Sequence, residues 1–201
     1  MIHTLNLRLH PNHRADSAHH AEDKVLIVED SLVPLDEQFR DRAPFQQVIV
    51  VGDASTVPGA GSSAELIQRH EPDERALVDG HRHTPAFLLS TAGTTGKPKG
   101  VLYVHAQRAL AALALTSTIT YQVSKEDSIV VSVPMLRMVA WLLACPGTIG
   151  RARLVLSDPH PPPADPGSVL SSEQGTSAAS VRTVRHEATS RIATTPRTID
   201  V

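Results

Sequence analysis

The sequence predicts an α/β fold, a mainly parallel sheet flanked by helices. Three observations point to it. From about residue 23 onward, short runs rich in Val, Ile and Leu alternate with segments of helical spacing. The apolar runs are continuous rather than alternating with polar residues, the pattern of strands covered on both faces. Strands separated by helices also need crossover connections, and these join parallel neighbours.

Each element follows in order. "KVLIVED" (Lys24–Asp30) reads as a buried strand. "LVPLDEQFRDRA" spaces Leu32, Leu35 and Phe39 as a helix does. "QVIVVGD" (Gln47–Asp53) is a second buried strand, stopped by Gly52. "DASTVPGAGSS" is loop, being rich in Gly, Ser and Pro. "AELIQRHEPDERA" starts a short helix that stops before Pro72, and "AFLLS" is a third strand. After a glycine-rich loop, "HAQRALAALALTSTI" (His105–Ile119) is a strong helix, dominated by Ala and Leu and free of Gly and Pro. "DSIVVSVPM", "RMVAWLLA" and "ARLVLS" complete the pattern as strand, helix and strand. The character changes at "SDPHPPPADPGS" (Ser157–Ser168), whose prolines continue neither helix nor strand. Beyond it the chain has no aromatic residue and little periodicity, so residues 159–201 are expected to form a Pro-rich linker and a poorly ordered tail.

Composition narrows the function classes. The length of 201 residues suits a domain with a real core, and with only 3% aromatics that core must be aliphatic. A formal net charge of −2 argues against a general nucleic-acid surface, which needs excess positive charge. The single cysteine, Cys145, forms no internal disulfide and lies in an apolar segment, which points to a reduced, cytoplasmic setting. The N-terminus lacks the apolar region of a signal peptide, and no apolar run approaches the roughly 20 residues of a membrane helix.

The densest chemistry lies in "LLSTAGTTGKPKGVLYVHA" (Leu88–Ala106), where glycines, threonines and lysines follow an apolar strand and precede a helix. Glycines let the backbone approach an anion, threonine hydroxyls add donors, and a lysine supplies a point charge. This is the layout of a phosphate-binding loop at the carboxyl end of a strand. It is not a Walker A loop, because Pro98 follows Gly96-Lys97 and the glycine spacing differs, and it lacks G-x-G-x-x-G.

"STAGTTGKPKGV" resembles T-S-G-T-T-G-x-P-K-G-V, the phosphate-loop signature of the adenylate-forming (AMP-binding) enzymes. "HTLNLRLHP", "HAEDKVLIVEDSLVPL", "VIVVGD", "GVLYVHAQRAL" and "SIVVSVPMLRMVAW" are similar, in order, to segments of fatty-acyl-CoA ligases within that superfamily. The resemblance implies a partial adenylation domain over residues 1–158 and a two-step reaction. ATP and a fatty acid give an acyl-adenylate, and coenzyme A then displaces AMP. Carried over by position, Thr91, Gly93, Thr94, Thr95, Gly96 and Lys99 would hold the ATP phosphates, with magnesium as their partner.

The departures from the family pattern are specific. Ala92 stands where the family has Ser, which removes one hydroxyl donor. Leu136 and Arg137 replace Phe and His in a segment that lines the family's acyl pocket; Arg137 is either a cation near that pocket or an exposed helix residue. The family's aromatic-Gly-x-Thr-Glu and T-G-D segments do not occur in this sequence. The resemblance therefore implies an incomplete fatty-acyl-CoA ligase. The alternative is a non-catalytic relic that binds MgATP weakly or folds unstably.

Other candidates are weaker. His81 with His83, and His19 with His20, lack the i, i+4 spacing of helical metal ligands. Cys145 has no His or basic pair beside it in sequence, as an activated thiol would. Ser90 lies outside G-x-S-x-G, so no hydrolase elbow is indicated. His105 opens a helix, where it either caps and packs or lines a nucleotide site.

Overall fold

The computed structural model describes residues 1–71, 80–91, 99–156, 166–179 and 197–199. The chain divides into two units, Met1–Leu102 and Tyr103–Val201.

The first unit opens with two elements that the apolar pattern does not announce, β1 (Ile2–Thr4) and α1 (Pro11–His20). Helix α1 begins because Pro11 suits the first helical position and the His10 imidazole accepts from the Asn12 N–H at 3.3 Å. Its buried positions are Arg14, Ala15 and Ala18. Strands β2 (Val25–Glu29) and β3 (Gln47–Val51) pair in parallel from Val25↔Gln47 to Glu29↔Val51, and the short β4 (Gly61–Ser62) adds to β3. The helix expected after β2 is broken into a 3₁₀ turn at Asp30–Leu32, the four-residue α2 (Val33–Asp36) and a second 3₁₀ turn at Arg40–Arg42. Helix α3 (Ser63–Arg69) is capped by the Ser62 hydroxyl and ends before Pro72, as the sequence predicts.

Strand β2 departs from the expectation of a buried strand. Val28 packs with Val50, Val33 and Val57, but Val25 and Ile27 on the opposite face are 48% and 67% exposed. The exposure continues on the same face of the central strand β3, where Gln47 and Val51 are also exposed, so an apolar run does not reveal which face of its sheet is covered. A second sheet in this unit has the order β1-β5-β6, with β5 at Pro85–Thr91 and β6 at Lys99–Val104; β1 and β5 are parallel.

The second unit contains α4 (His105–Thr116), β7 (Ser128–Val131), α5 (Met138–Ile149), β8 (Arg153–Leu156), α6 (Pro166–Ser172), β9 (Ser177–Ala179) and β10 (Arg197–Ile199). Its sheet has the order β10-β9-β7-β8, every pair parallel. Strand β7 is central, and all four of its residues are buried. Ile129 and Val131 face Val123, Ala140 and Leu143, while Val130 faces Leu170 and Ala178. Buried Asp127 accepts from the Thr176 hydroxyl at 2.7 Å and the Ser124 N–H at 2.9 Å, and Thr176 Oγ1 accepts from the Ser128 N–H at 3.0 Å. Residues 166–179 thus contribute more burial than their composition suggests. Among the described residues the strands group into three sheets, a grouping that hydrophobic periodicity does not encode.

Charge is buried in the first unit. Arg14 is 2% exposed and Asp36 3%. The Arg14 guanidinium lies 5.0 Å from the Phe39 ring centroid, and its Nε and Nη1 are buried without a hydrogen-bond partner among the described residues. Burial lowers the Arg14 pKa, with Asp36 opposing. Burial raises the Asp36 carboxyl above its ordinary value, against the attraction of Arg40 at 2.7 Å. A carboxyl raised in the native state holds its proton more tightly there than in the unfolded chain. Its stabilising contribution is present below the ordinary carboxylate pKa and is lost as pH rises through the raised value. The stability of the native sequence relative to Asp36→Asn is therefore expected to increase from neutral pH down to about pH 4. Urea unfolding of both proteins across that range checks it.

Candidate functional site

Strand β5 carries the chain to the candidate loop. Ala86 and Leu89 anchor it in the core, and pairing with β1 in the register Ile2↔Phe87, His3↔Leu88 and Thr4↔Leu89 brings the carboxyl ends of two parallel strands together. The backbone leaves the sheet after Thr91, the last residue of β5, and re-enters at Lys99, the first of β6, a neighbour of β5. Both ends of the predicted phosphate loop are thereby fixed on one sheet. Lys99 is exposed. Gly93, Thr94, Thr95 and Gly96 lie outside the described residues, as does Ala92. Gly100 approaches β5 closely: a Cβ there would stand 2.9 Å from Leu88 Cδ1.

Beside these strand ends lies a grouping that sequence reasoning missed. The register puts His3 and Ser90 on one face of the β1–β5 pair. His3 Nδ1 is 2.7 Å from Asp23 Oδ2, and His3 Nε2 is 3.4 Å from Ser90 Oγ. The His3 side chain is 3% exposed and that of Asp23 14%. His3 and Ser90 line a cleft of about 470 Å³ whose other wall includes His13, Asp16, Ser17 and His20 of α1. These four recur at i, i+3, i+4 and i+7, one face of the helix. With 20 and 87 residues separating the partners, no local motif could announce them.

The remaining candidates resolve simply. Arg137 is the exposed N-cap residue of α5, just before its first turn. His105 is the exposed first residue of α4, and the start of that helix is held by Gln107 Oε1 accepting from the Val104 N–H at 3.0 Å. Cys145 does have a cation beside it: Arg108, 37 residues away, donates to its Sγ at 3.2 Å and to the Trp141 carbonyl at 2.8 Å. Among the described residues no group of three His, Cys, Asp or Glu side chains could hold a metal ion, and no helix is long and apolar enough to cross a membrane.

A family model for AMP-binding enzymes matches residues 1–196. The chain belongs to the AMP-binding enzyme family. This AMP-binding chain is 34% identical over 184 residues to the long-chain-fatty-acid–CoA ligase of Thermus thermophilus, covering 92% of this chain and 33% of that one. It is 29% identical over 179 residues to the medium-chain-fatty-acid–CoA ligase of Ectopseudomonas oleovorans, covering 86% and 33%. The chain therefore spans about a third of the length of these relatives. In structure it is similar to a long-chain-fatty-acid–CoA ligase from Archaeoglobus fulgidus, with a TM-score of 0.77 at 21% identity, over 94% of this chain and 36% of that one. A putative long-chain-fatty-acid–CoA ligase from Rhodopseudomonas palustris gives a TM-score of 0.77 at 14% identity, over 96% and 47%. At these identities the structural likeness concerns the fold, and it supports the α/β class read from the sequence.

Proposed function

We propose that this chain is the phosphate-loop-bearing part of an ATP-dependent fatty-acyl-CoA ligase and that it binds MgATP. Thr91, Gly93, Thr94, Thr95, Gly96 and Lys99 hold the β- and γ-phosphates while a fatty-acid carboxylate attacks the α-phosphorus; coenzyme A then displaces AMP. Backbone N–H groups, hydroxyls and a lysine aimed at the triphosphate assist such a displacement by neutralising charge. Magnesium, a hard cation, would enter with the phosphates and neutralise part of their charge. The observation that carries this reading is the placement of Thr91 and Lys99 at the ends of neighbouring strands, with "AGTTGKP" between them, in a chain of this family. The lone cysteine in a chain of this composition is in keeping with a cytoplasmic location.

The same proposal holds that the chain alone forms no acyl-adenylate, because the sequence lacks the family's Glu-bearing and T-G-D segments. Fatty-acid-dependent exchange of pyrophosphate into ATP tests this. The expected result is no exchange above background. Exchange by the chain alone, abolished in Lys99→Ala, would show that the catalytic set is complete without those segments.

A further inference from the structure

We propose that Asp23, His3 and Ser90 form a second reactive centre, with Ser90 Oγ as a nucleophile towards activated acyl esters. Neither ATP nor residues 92–98 take part, so this centre stands or falls separately from the reading above.

The geometry assigns the roles. An ionised carboxylate can only accept hydrogen bonds, so the 2.7 Å contact with Asp23 Oδ2 puts the imidazole proton on His3 Nδ1. That leaves the Nε2 lone pair facing the Ser90 hydroxyl at 3.4 Å. The three residues thus stand as nucleophile, base and orienting carboxylate, an arrangement recognised by roles rather than by sequence position. The contact at 3.4 Å is long, and in resting enzymes such contacts tighten when substrate binds. The backbone fixes the set: parallel pairing puts His3 opposite Leu88, and Ser90 is two residues further along the same face. His3 and Ser90 both line the 470 Å³ cleft, so the hydroxyl faces space that a small acyl group can enter. Gly100, also on the cleft, adds no side chain to block it. His13, Ser17, His19 and His20 also line the cleft and carry groups able to donate a hydrogen bond to a developing oxyanion.

The step balances without an added oxidant or reductant. Ser90 Oγ forms a bond to the acyl carbon, its proton passes to His3 Nε2, and the bond from acyl carbon to leaving oxygen breaks as that oxygen takes the proton from His3. Water repeats the sequence on the acyl-serine. The net reaction is ester plus water to acid plus alcohol.

The test uses the full chain with a fluorophosphonate probe, followed by peptide mapping by mass spectrometry. Attack by Ser90 expels fluoride and leaves a phosphonyl adduct. The expected result is one adduct per chain, located on Ser90, absent in Ser90→Ala and formed at least about tenfold more slowly in His3→Gln. p-Nitrophenyl acetate should release nitrophenolate with the same dependence on both residues. No adduct, an adduct confined to another residue, or an unchanged labelling rate in His3→Gln would each overturn the proposal. Because His3→Gln removes a buried contact, Ser90→Cys gives a readout that keeps the pair of His3 and Asp23. Its introduced thiol should react with iodoacetamide at least about tenfold faster than Cys145. Equal rates would overturn the assignment of His3 as base.

Discussion

Arg14→Leu is expected to stabilise the Met1–Leu102 unit by about 1–3 kcal/mol, the cost of leaving buried donors unsatisfied. Arg14 lies on α1 against Phe39 at 2% exposure, and its Nε and Nη1 are buried without a hydrogen-bond partner among the described residues. Contact with the Phe39 ring offsets only part of the cost of desolvating a guanidinium. Leucine would fill the same space without that cost and has a good helix propensity. Asp36 would keep its ion pair with Arg40 at 2.7 Å, so the substitution does not strand a carboxylate. The lone tryptophan, Trp141, lies in the second unit, so its fluorescence does not report on this one. Hydrogen exchange of β3 amides under mild denaturant does. Slower exchange is the expected result; faster exchange would mean that Arg14 stabilises the unit.

Ile129→Ala is expected to destabilise the Tyr103–Val201 unit by about 2–5 kcal/mol. Ile129 is 0% exposed at the centre of β7, among Val123, Val131, Ala140 and Leu143. Close packing of α5 on the sheet surrounds it: a Cβ on Gly147 would stand 3.2 Å from Ile129 Cδ1 and 2.5 Å from Leu154 Cδ2. Strands on both sides of β7 hold the backbone, so the cavity left by truncation cannot easily collapse. Trp141 lies on α5 in this unit, and urea unfolding followed by its fluorescence gives the change directly.

These two positions also show what the sequence made legible. The "SIVV" of β7 is a continuous apolar run because both faces are covered, and there run and burial agree. In β2 the run is equally continuous, yet Val25 and Ile27 are exposed along with Gln47 and Val51 of β3, because what covers a sheet face is set by packing between distant segments. Helix α1 was not legible: its buried stripe is Arg14, Ala15 and Ala18, which carries almost no hydrophobic signal. The candidate phosphate loop is legible as a motif because its residues are contiguous, and residues 92–98 of it lie outside the described residues. The grouping of His3, Asp23 and Ser90, and the contact of Arg108 with Cys145, were not, since parallel pairing and helix packing bring together residues far apart in the chain.

Thermal unfolding of the full chain with and without MgATP tests the central claim most directly. A ligand selective for the native state stabilises it by RT ln(1 + [L]/Kd), about 2.7 kcal/mol at a hundredfold excess over Kd. The midpoint should rise with MgATP, and Lys99→Ala should lose most of that rise relative to its own nucleotide-free midpoint. A midpoint that MgATP does not move would contradict the account, leaving "AGTTGKPKG" as a sequence signature without a working phosphate site.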